Sequence, residues 1–440
     1  MNELLAAARA VHFAATIWVF GELAFACALA RGRRSVAAAG PGEALRRRLP
    51  SIVRLSLGVG IASAVVWLVA VAATMSGMPL SRAMAPSTLG AVLGGTLFGK
   101  VWILRLCLAG ALLAPWPRSA GGSGWPLALR TVVAAAYLGS LAWTGHAAAA
   151  EAASRLLQLG SDVVHLLAAG AWLGALPALV HLLGRAQPIE DAAWAARRFS
   201  SVAIASVSAL ILSGIGSSWF LVGSIPALFG TRYGVLLLAK VALLAVMLAL
   251  AAANRLLLTP RLAGGDLRAM RALRRNALLE IAAGLTVVII VGRLGITIPA
   301  AHQSPLWPFA YSLGWAPVQE SAARSSLLAA SLVVAVVGLG VVIAGVHRRV
   351  WAHAGAGLAG ATAAVVASAW LLAIPAYPTS YAVSPVRYTT TAIVGGAELF
   401  ARHCVACHGS DGTGAALESA GRVIRPTNLV WHAAGHRPGE

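Results

Sequence analysis

Two cysteines and a histidine near the carboxyl terminus have a spacing that suits covalent attachment of a cofactor. Cys404, Cys407 and His408 form a Cys-x-x-Cys-His motif, the usual attachment signal of c-type haem. The thiols can form thioethers to the haem, and the histidine can bind its iron. A thioredoxin-type dithiol needs no such histidine, and zinc would need a second pair of ligands. Three histidines could supply that pair: His403, His432 and His436. We predict covalent haem c here, with zinc as the alternative.

A second group of ionisable residues lies inside apolar sequence. Asp162 and His165 are three residues apart in the apolar run 160–177, so a helix places both side chains on one face. An ionisable side chain inside a bilayer costs about 2.5–3.5 kcal/mol on insertion scales. Such residues are therefore candidate functional groups. The alternative for His165 is a polar contact between packed helices.

The pattern around His165 recurs at the start of the chain. His12 precedes Gly21 by the same spacing as His165 precedes Gly174. Two further segments match in the same order: TLFGKVWILR (96–105) and TRYGVLLLAK (231–240). We therefore predict a parallel repeat of spans 1–4 and 5–8, and transport proteins often place their sites at such interfaces.

Some charged residues in these spans have no partner that the sequence identifies. Glu22 lies deep in the first span and needs either a partner or a proton. Arg105 and Lys240 could pair with such a carboxylate or extend towards the lipid headgroups. The sequence leaves both possibilities open.

Sulfur and nitrogen ligands in the same region indicate a path for a metal ion. Three methionines cluster after the second apolar run, and thioethers suit Cu(I), while imidazole also binds copper. We predict a copper path through these side chains: Met75, Met78, Met84, His12, His146, Asp162 and His165. Methionines at a helix end also serve simple packing, which is the alternative for this cluster.

The composition excludes an ordinary soluble protein. Of the 440 residues, 59% are hydrophobic and 11% are charged. A membrane-spanning helix needs about 20 apolar residues. Ten runs meet this requirement: 3–30, 51–77, 97–116, 127–148, 156–184, 199–222, 234–258, 276–298, 326–346 and 351–374.

The net charge of +20 is concentrated in alternate loops. Arginines fill the loops after the first, fifth, seventh and ninth runs, which is typical of cytoplasmic loops. Both termini are then expected on the periplasmic side. The basic charge is explained by topology and by contact with anionic lipid, so we predict a lipid bilayer and no nucleic acid as partner.

Spans 1–8 resemble the copper resistance protein D family of bacterial inner-membrane proteins. Four segments carry the resemblance: GHA (145–147), DVVHLLAAGAWLG (162–174), TRYGVLLLAK (231–240) and ANR (253–255). It covers roughly residues 1–300. The resemblance implies copper movement across the inner membrane and a periplasmic copper-binding protein as partner.

The tail from residue 395 resembles a class I cytochrome c, through GGAELFARHCVACHG and the later PTNL at residues 426–429. Such domains carry a distal methionine, but no methionine follows Met270. We expect the domain to be cut short at Glu440. Otherwise the sixth iron position is open, or is filled by His432 or His436.

These observations predict an all-α, polytopic membrane helical bundle of about ten spans, with a 4+4 parallel repeat, two further spans and a small periplasmic cytochrome c-like segment. The expected domains are 1–300, two spans in 301–374, a linker at 375–394 and the haem segment at 395–440. The predicted function is copper transport or resistance in the inner membrane, with haem c exchanging electrons with a periplasmic or membrane partner. This describes a transporter and electron-transfer protein more than an enzyme. The alternative is a membrane oxidoreductase in which His12 and His165, with His146 as a further candidate ligand, bind b-type haem and electrons pass from quinol to haem c.

Overall fold

The computed structural model describes residues 1–30, 41–115, 125–145, 152–184, 188–303, 305–376, 389–414, 417–419, 422–424 and 426–430. These residues are almost entirely helical and divide into two compact units, Met1–Leu306 and Trp307–Glu440. The all-α prediction is confirmed.

The first unit is a bundle of helices. Its helices are α1 (Asn2–Ala30), α2 (Pro41–Ser76), α3 (Leu80–Ala83), α4 (Pro86–Gly95), α5 (Leu97–Leu113), α6 (Trp125–Gly139), α7 (Ala152–Leu173), α8 (Leu176–Gly184), α9 (Ile189–Val222), α10 (Ile225–Gly230), α11 (Arg232–Ala253), α12 (Thr259–Ala263) and α13 (Leu267–Leu294). Short 3₁₀ turns follow α6 and α13, at Ser140–Thr144 and Ala300–His302, and a π-helical turn, Asn254–Leu258, joins α11 to α12.

Nine helical segments in the described part of the chain are long and apolar enough to cross a membrane. The helices α4 and α5 also meet this requirement together, but they are bent by 91° at their junction. The described residues therefore hold nine candidate spans, or ten if the bent pair is one span, and two of them, α15 and α16, belong to the second unit. This confirms a polytopic membrane protein with about ten spans.

The bend before α5 has a counterpart before α11. The Thr96 hydroxyl accepts a hydrogen bond from the Gly99 backbone N–H at 2.9 Å, and Thr231 accepts one from Gly234 at 3.0 Å. Each threonine thereby caps the first turn of its helix. A side chain at either glycine would overlap the backbone of the short preceding helix. The matching segments of the predicted repeat thus form the same local structure.

Helix α1 lies in the core of the first unit. Its side chains Leu23, Phe25 and Ala26 are fully buried. Gly21 packs directly on the backbone of Gly174, just beyond the end of α7, so a Cβ at Gly21 would overlap the α7–α8 junction. Gly170 and Gly174 form a Gly-x-x-x-Gly pair, which allows helix backbones to approach closely in a membrane. Corresponding glycines of the two predicted repeats therefore meet where α1 and α7 cross.

The second unit contains two long helices and short elements. These are β1 (Tyr311–Leu313), α14 (Ala316–Gln319), α15 (Ala322–His347), α16 (Trp351–Leu371), β2 (Ala373–Pro375), α17 (Thr390–His403), α18 (Val405–His408), β3 (Leu417–Ser419) and β4 (Arg422–Ile424). Strands β1 and β2 pair antiparallel, with Ser312 opposite Ile374, and β3 pairs with β4. Helices α15 and α16 approach closely at Gly338 and Gly357. Helix α17 begins within the segment expected to be a linker.

Candidate functional site

The first predicted repeat encloses His12 between α1, α2 and α5. His12 is 1% exposed, and its Nδ1 lies 2.9 Å from the Gly60 carbonyl oxygen and 3.2 Å from Ser63 Oγ. Because a carbonyl oxygen can only accept, Nδ1 carries the proton and Nε2 presents a lone pair. That lone pair faces Nη2 of Arg105 at 2.6 Å. Neither ring nitrogen of His12 is therefore available to a metal ion while Arg105 keeps this position.

Arg105 is itself held by several groups. Its Nη1 donates to the Tyr137 carbonyl oxygen at 2.5 Å and to Ser140 Oγ at 2.7 Å. The guanidinium carbon lies 4.3 Å from the centre of the Tyr137 ring, within range of a cation–π interaction. The sequence left two possibilities open for Arg105, a carboxylate partner or extension towards the lipid headgroups. The structure shows neither, because Nη2 of Arg105 contacts His12.

The second predicted repeat places His165 in the same way. The imidazole Nδ1 lies 3.0 Å from Ser213 Oγ on α9, and the Ser213 hydroxyl donates to the Ala209 carbonyl oxygen at 2.6 Å. Since that hydroxyl proton is already used, Nδ1–H donates to Ser213 and Nε2 has the free lone pair. Lys240 Nζ faces Nε2 at 3.4 Å, which is longer than an ordinary hydrogen bond.

Asp162 lies one helical turn from His165. Its Oδ1 accepts a hydrogen bond from Ser217 on α9 at 3.2 Å, and the Lys240 ammonium attracts its charge. A Cβ at Gly145 would lie 4.0 Å from Oδ2 of Asp162. The second repeat thus combines a carboxylate, an imidazole and an ammonium group 3.4 Å from that imidazole, whereas the first has an imidazole and a guanidinium held by several hydrogen bonds.

The two histidines lie in separate clusters, each with its own basic partner. A haem with two histidine ligands needs both Nε2 atoms directed at one iron. Here His12 is directed at Arg105, and His165 at Lys240. This arrangement does not favour the alternative of b-type haem between the two residues.

The second repeat contains an incomplete set of metal ligands. Within the part of the chain that the structure describes, no group of three or more His, Cys, Asp or Glu side chains is arranged to hold a metal ion. Asp162 and His165 provide one oxygen and one nitrogen ligand on one helix face. His146, predicted as a further ligand, lies outside the described residues, and its neighbour Gly145 lies beside Asp162.

The three methionines of the predicted path lie on the surface. Met75 is 59% exposed at the end of α2, Met78 is 43% exposed in the following turn, and Met84 is 59% exposed after α3. They are close in sequence around one short helix. They therefore form a surface group that is distinct from the buried histidine clusters.

The haem motif spans the end of α17 and all of α18. The His408 Nδ1 lies 3.0 Å from the Thr427 carbonyl oxygen, so Nδ1 is the protonated nitrogen and Nε2 is left to bind iron. Cys407 is exposed and Cys404 partly so, and neither forms a disulfide. A fixed imidazole beside two free thiols fits the chemistry of covalent haem, which would supply one-electron transfer.

The chain after the motif turns back towards α17. Gly409, Gly412 and Gly414 have positive φ angles of 75°, 71° and 87°, which favour glycine. The backbone N–H and the hydroxyl of Thr413 donate to Asp411 Oδ1 and lower the pKa of this exposed carboxyl group. The space beside Gly412 is bounded by Phe400, Leu429 and Val430, which are candidates to cover one side of a haem.

Comparison with known proteins decides the family. The model of the copper resistance protein D-like N-terminal domain matches residues 1–156, and that of copper resistance protein D matches residues 193–294. Copper resistance protein D of Pseudomonas syringae pv. tomato is 30% identical over 255 residues, which cover 55% of this chain and 81% of that protein. This chain belongs to the copper resistance protein D family. The cytochrome c family model matches residues 393–434, outside the matches to the copper resistance family.

Two further relatives agree with a membrane location. The copper transport protein CutJ of Bacillus subtilis (strain 168) is 36% identical over 151 residues, which are 34% of this chain but only 26% of CutJ. The inner membrane protein YebZ of Escherichia coli (strain K12) is 28% identical over 302 residues, 67% of this chain and 97% of YebZ. No solved structure matches the chain. With its spans, this member of the copper resistance protein D family is a multi-pass protein of the bacterial inner membrane.

Several residues of the two histidine clusters were not predicted from the sequence. Ser213 and Ser217 on α9 and the Gly60 carbonyl on α2 hold the ligands through contacts between helices. The contact between His165 and Lys240 could have been predicted from the sequence. In each repeat of the copper resistance protein D bundle, the segment with the histidine is followed by a segment that ends in a basic residue.

Proposed function

We propose that this protein moves copper ions across the inner membrane, that Asp162 and His165 form the binding site, and that a periplasmic copper-binding protein exchanges copper with it. The observation that carries this proposal is the lone pair of His165 Nε2, which Lys240 Nζ faces at 3.4 Å, beyond an ordinary hydrogen bond. The Nδ1–H of His165 donates to Ser213, the kind of support that orients metal-binding imidazoles.

Oxygen and nitrogen ligands suit Cu(II), whereas thioethers suit Cu(I). The exposed group of Met75, Met78 and Met84 is in this proposal the place where Cu(I) is handed to or from the partner. His146, which lies outside the described residues, is proposed as a further ligand. His12, whose lone pair faces Arg105, is the structural counterpart of His165 and binds copper only if Arg105 moves.

The haem segment adds a second part to the proposal. Cys404 and Cys407 attach haem c, and His408 binds its iron from one side. The Nδ1–H of His408 donates to the Thr427 carbonyl oxygen, and Phe400 would cover one side of the haem. We infer that both termini are periplasmic, because arginines cluster in alternate loops, and that the haem exchanges electrons with a periplasmic or membrane partner.

Copper binding and uptake test the proposal directly. The full chain, purified in detergent, is titrated with Cu(I) and Cu(II), and the same preparation is reconstituted into vesicles for uptake. Asp162→Asn and His165→Ala are expected to lower the affinity at least about tenfold, since each removes one ligand. The matched control is His353→Ala, which removes an exposed histidine of α16.

Spectroscopy of the same samples separates the two functions. We expect covalent haem that acid-acetone treatment does not extract. Unchanged copper binding in both variants would refute the copper site. Extractable haem that disappears in His165→Ala would instead establish the oxidoreductase alternative.

A further inference from the structure

Two glutamate side chains are buried in the membrane bundle away from the histidine clusters. Glu22 on α1 and Glu280 on α13 are each 1% exposed. Glu22 Oε1 accepts a hydrogen bond from Trp18 Nε1 at 2.9 Å, and Glu280 Oε1 accepts one from Asn254 Nδ2 at 2.7 Å. In both residues Oε2 is buried and accepts no hydrogen bond from the described residues. Each carboxyl group is therefore only half satisfied.

Among the described residues, no positively charged side chain acts on Glu280. The polar groups that act on it are the Asn254 amide and the Trp172 indole, and both are neutral. Glu22 accepts a hydrogen bond from the Trp18 indole, and the charge of the Arg48 guanidinium acts on it more weakly. A carboxylate inside a membrane needs a counter-charge or donors for both oxygens. Glu280 has neither. A bound proton makes the carboxyl group neutral and so removes the free-energy cost of burying a charge in the membrane.

A chain of amides leads from Glu280 towards the arginine-rich ends of the helices. Asn276 Nδ2 donates to Asn254 Oδ1 at 2.9 Å, and Asn254 donates in turn to Glu280. Asn254 begins the π-helical turn that follows α11, and such turns occur frequently at functional sites. Arg255 and Arg275 are the chain neighbours of the two asparagines. The two asparagines thus extend the hydrogen bonds of the carboxyl group towards the arginine-rich end of the bundle.

Both carboxyl groups flank the crossing of the two repeats. Glu22 follows Gly21, and Trp172, which lies beside Glu280, is two residues before Gly174. Interfaces between repeats are where transport proteins often bind their coupling ions. This place is separate from Asp162 and His165, whose partners are on α9 and α11.

We propose that Glu280 is a proton-binding site within the membrane, filled at neutral pH and in exchange with water through Asn254 and Asn276, with Glu22 as its counterpart. A glutamic acid in water has a pKa of about 4.3 and is ionised at neutral pH. The inference goes beyond the proposed copper function and does not depend on it. If copper is transported, the protons of these two sites are the counter-ions that can be exchanged for the charge of the copper ion.

Infrared spectroscopy of the full chain in lipid nanodiscs tests the proposal. A protonated carboxyl group gives a C=O stretching band that an ionised one lacks. At neutral pH we expect this band in the wild type, half of it in Glu280→Gln or Glu22→Gln, and none in the double variant. The matched control Glu3→Gln, in which the carboxyl group of α1 is exposed, is expected to leave the band unchanged. An identical band in wild type and Glu280→Gln would overturn the proposal.

A separate variant tests the path by which the proton of Glu280 exchanges with water. Asn254→Leu keeps the carboxyl group but removes the amide that connects it to Asn276. We expect the shift of the band on transfer to D₂O to become at least about tenfold slower than in the wild type. An unchanged rate would overturn the path. Glu280→Gln is also titrated with copper: retained binding is expected, and lost binding would show that Glu280 serves the copper site rather than a separate proton site.

Discussion

Lys240 is expected to compete with copper for His165, and its removal should strengthen copper binding. The ammonium nitrogen lies 3.4 Å from Nε2 of His165. A copper ion on that nitrogen lies about 2 Å from it, so the two cations would be at most about 5.4 Å apart unless Lys240 withdraws. At an effective dielectric constant of about 20, two unit charges at that distance repel by about 3 kcal/mol. This energy corresponds to roughly a hundredfold in affinity.

The expected result for Lys240→Leu is therefore Cu(I) binding that is tighter by about ten- to a hundredfold, the lower figure allowing for withdrawal of the lysine side chain. Competition with a chromogenic Cu(I) chelator, on the purified full chain, measures the change. Lys100→Leu is the matched control, because Lys100 is the other lysine of the chain and is exposed. Leucine removes the charge without adding a copper ligand. Weaker or unchanged binding in Lys240→Leu would refute the reasoning, since it would make Lys240 a structural partner of His165.

Two further predictions concern the helix crossing and the haem segment. Gly21→Val should lower the folded yield and the thermal stability in detergent, since its side chain would overlap Gly174; overpacking of this kind typically costs about 1–3 kcal/mol. Gly58→Val, where nothing lies within 4 Å, should leave the stability unchanged, and equal stabilities would contradict the close crossing. His408→Ala should change the absorption spectrum of the bound haem while His403→Ala preserves it, and a normal spectrum in His408→Ala would remove His408 as the iron ligand.

The sequence predicted the elements of the bundle because each span is long, apolar and bounded by loop arginines. It also predicted that the segments of His12 and His165 correspond, and the structure gives both residues the same type of contact, with Nδ1 held by a neighbouring helix and Nε2 facing a basic side chain. The prediction rested on the equal spacing of histidine and glycine in the two segments and on the order of the matching segments along the chain.

Contacts between helices could not be read from the same sequence. The carboxyl group of Glu280 lies in a run of ordinary helical residues, and its isolation appears only when Asn254 and Trp172 are brought beside it. The third predicted apolar run began at residue 97, so helix α4 and its bend against α5 were not predicted, because hydropathy does not register the cap formed by Thr96. Packing and capping geometry, rather than composition, determine these features.

The contact of Gly21 with Gly174 has a further consequence. When equivalent positions of two related halves touch each other, the contact has the form of an isologous dimer interface. The first unit is then organised like a dimer of two four-span protomers that are joined covalently in one chain. Residues 1–145 and 152–306, made as separate polypeptides in the same membrane, are expected to associate through α1 and α7, and Gly21→Val in the first of them should prevent it.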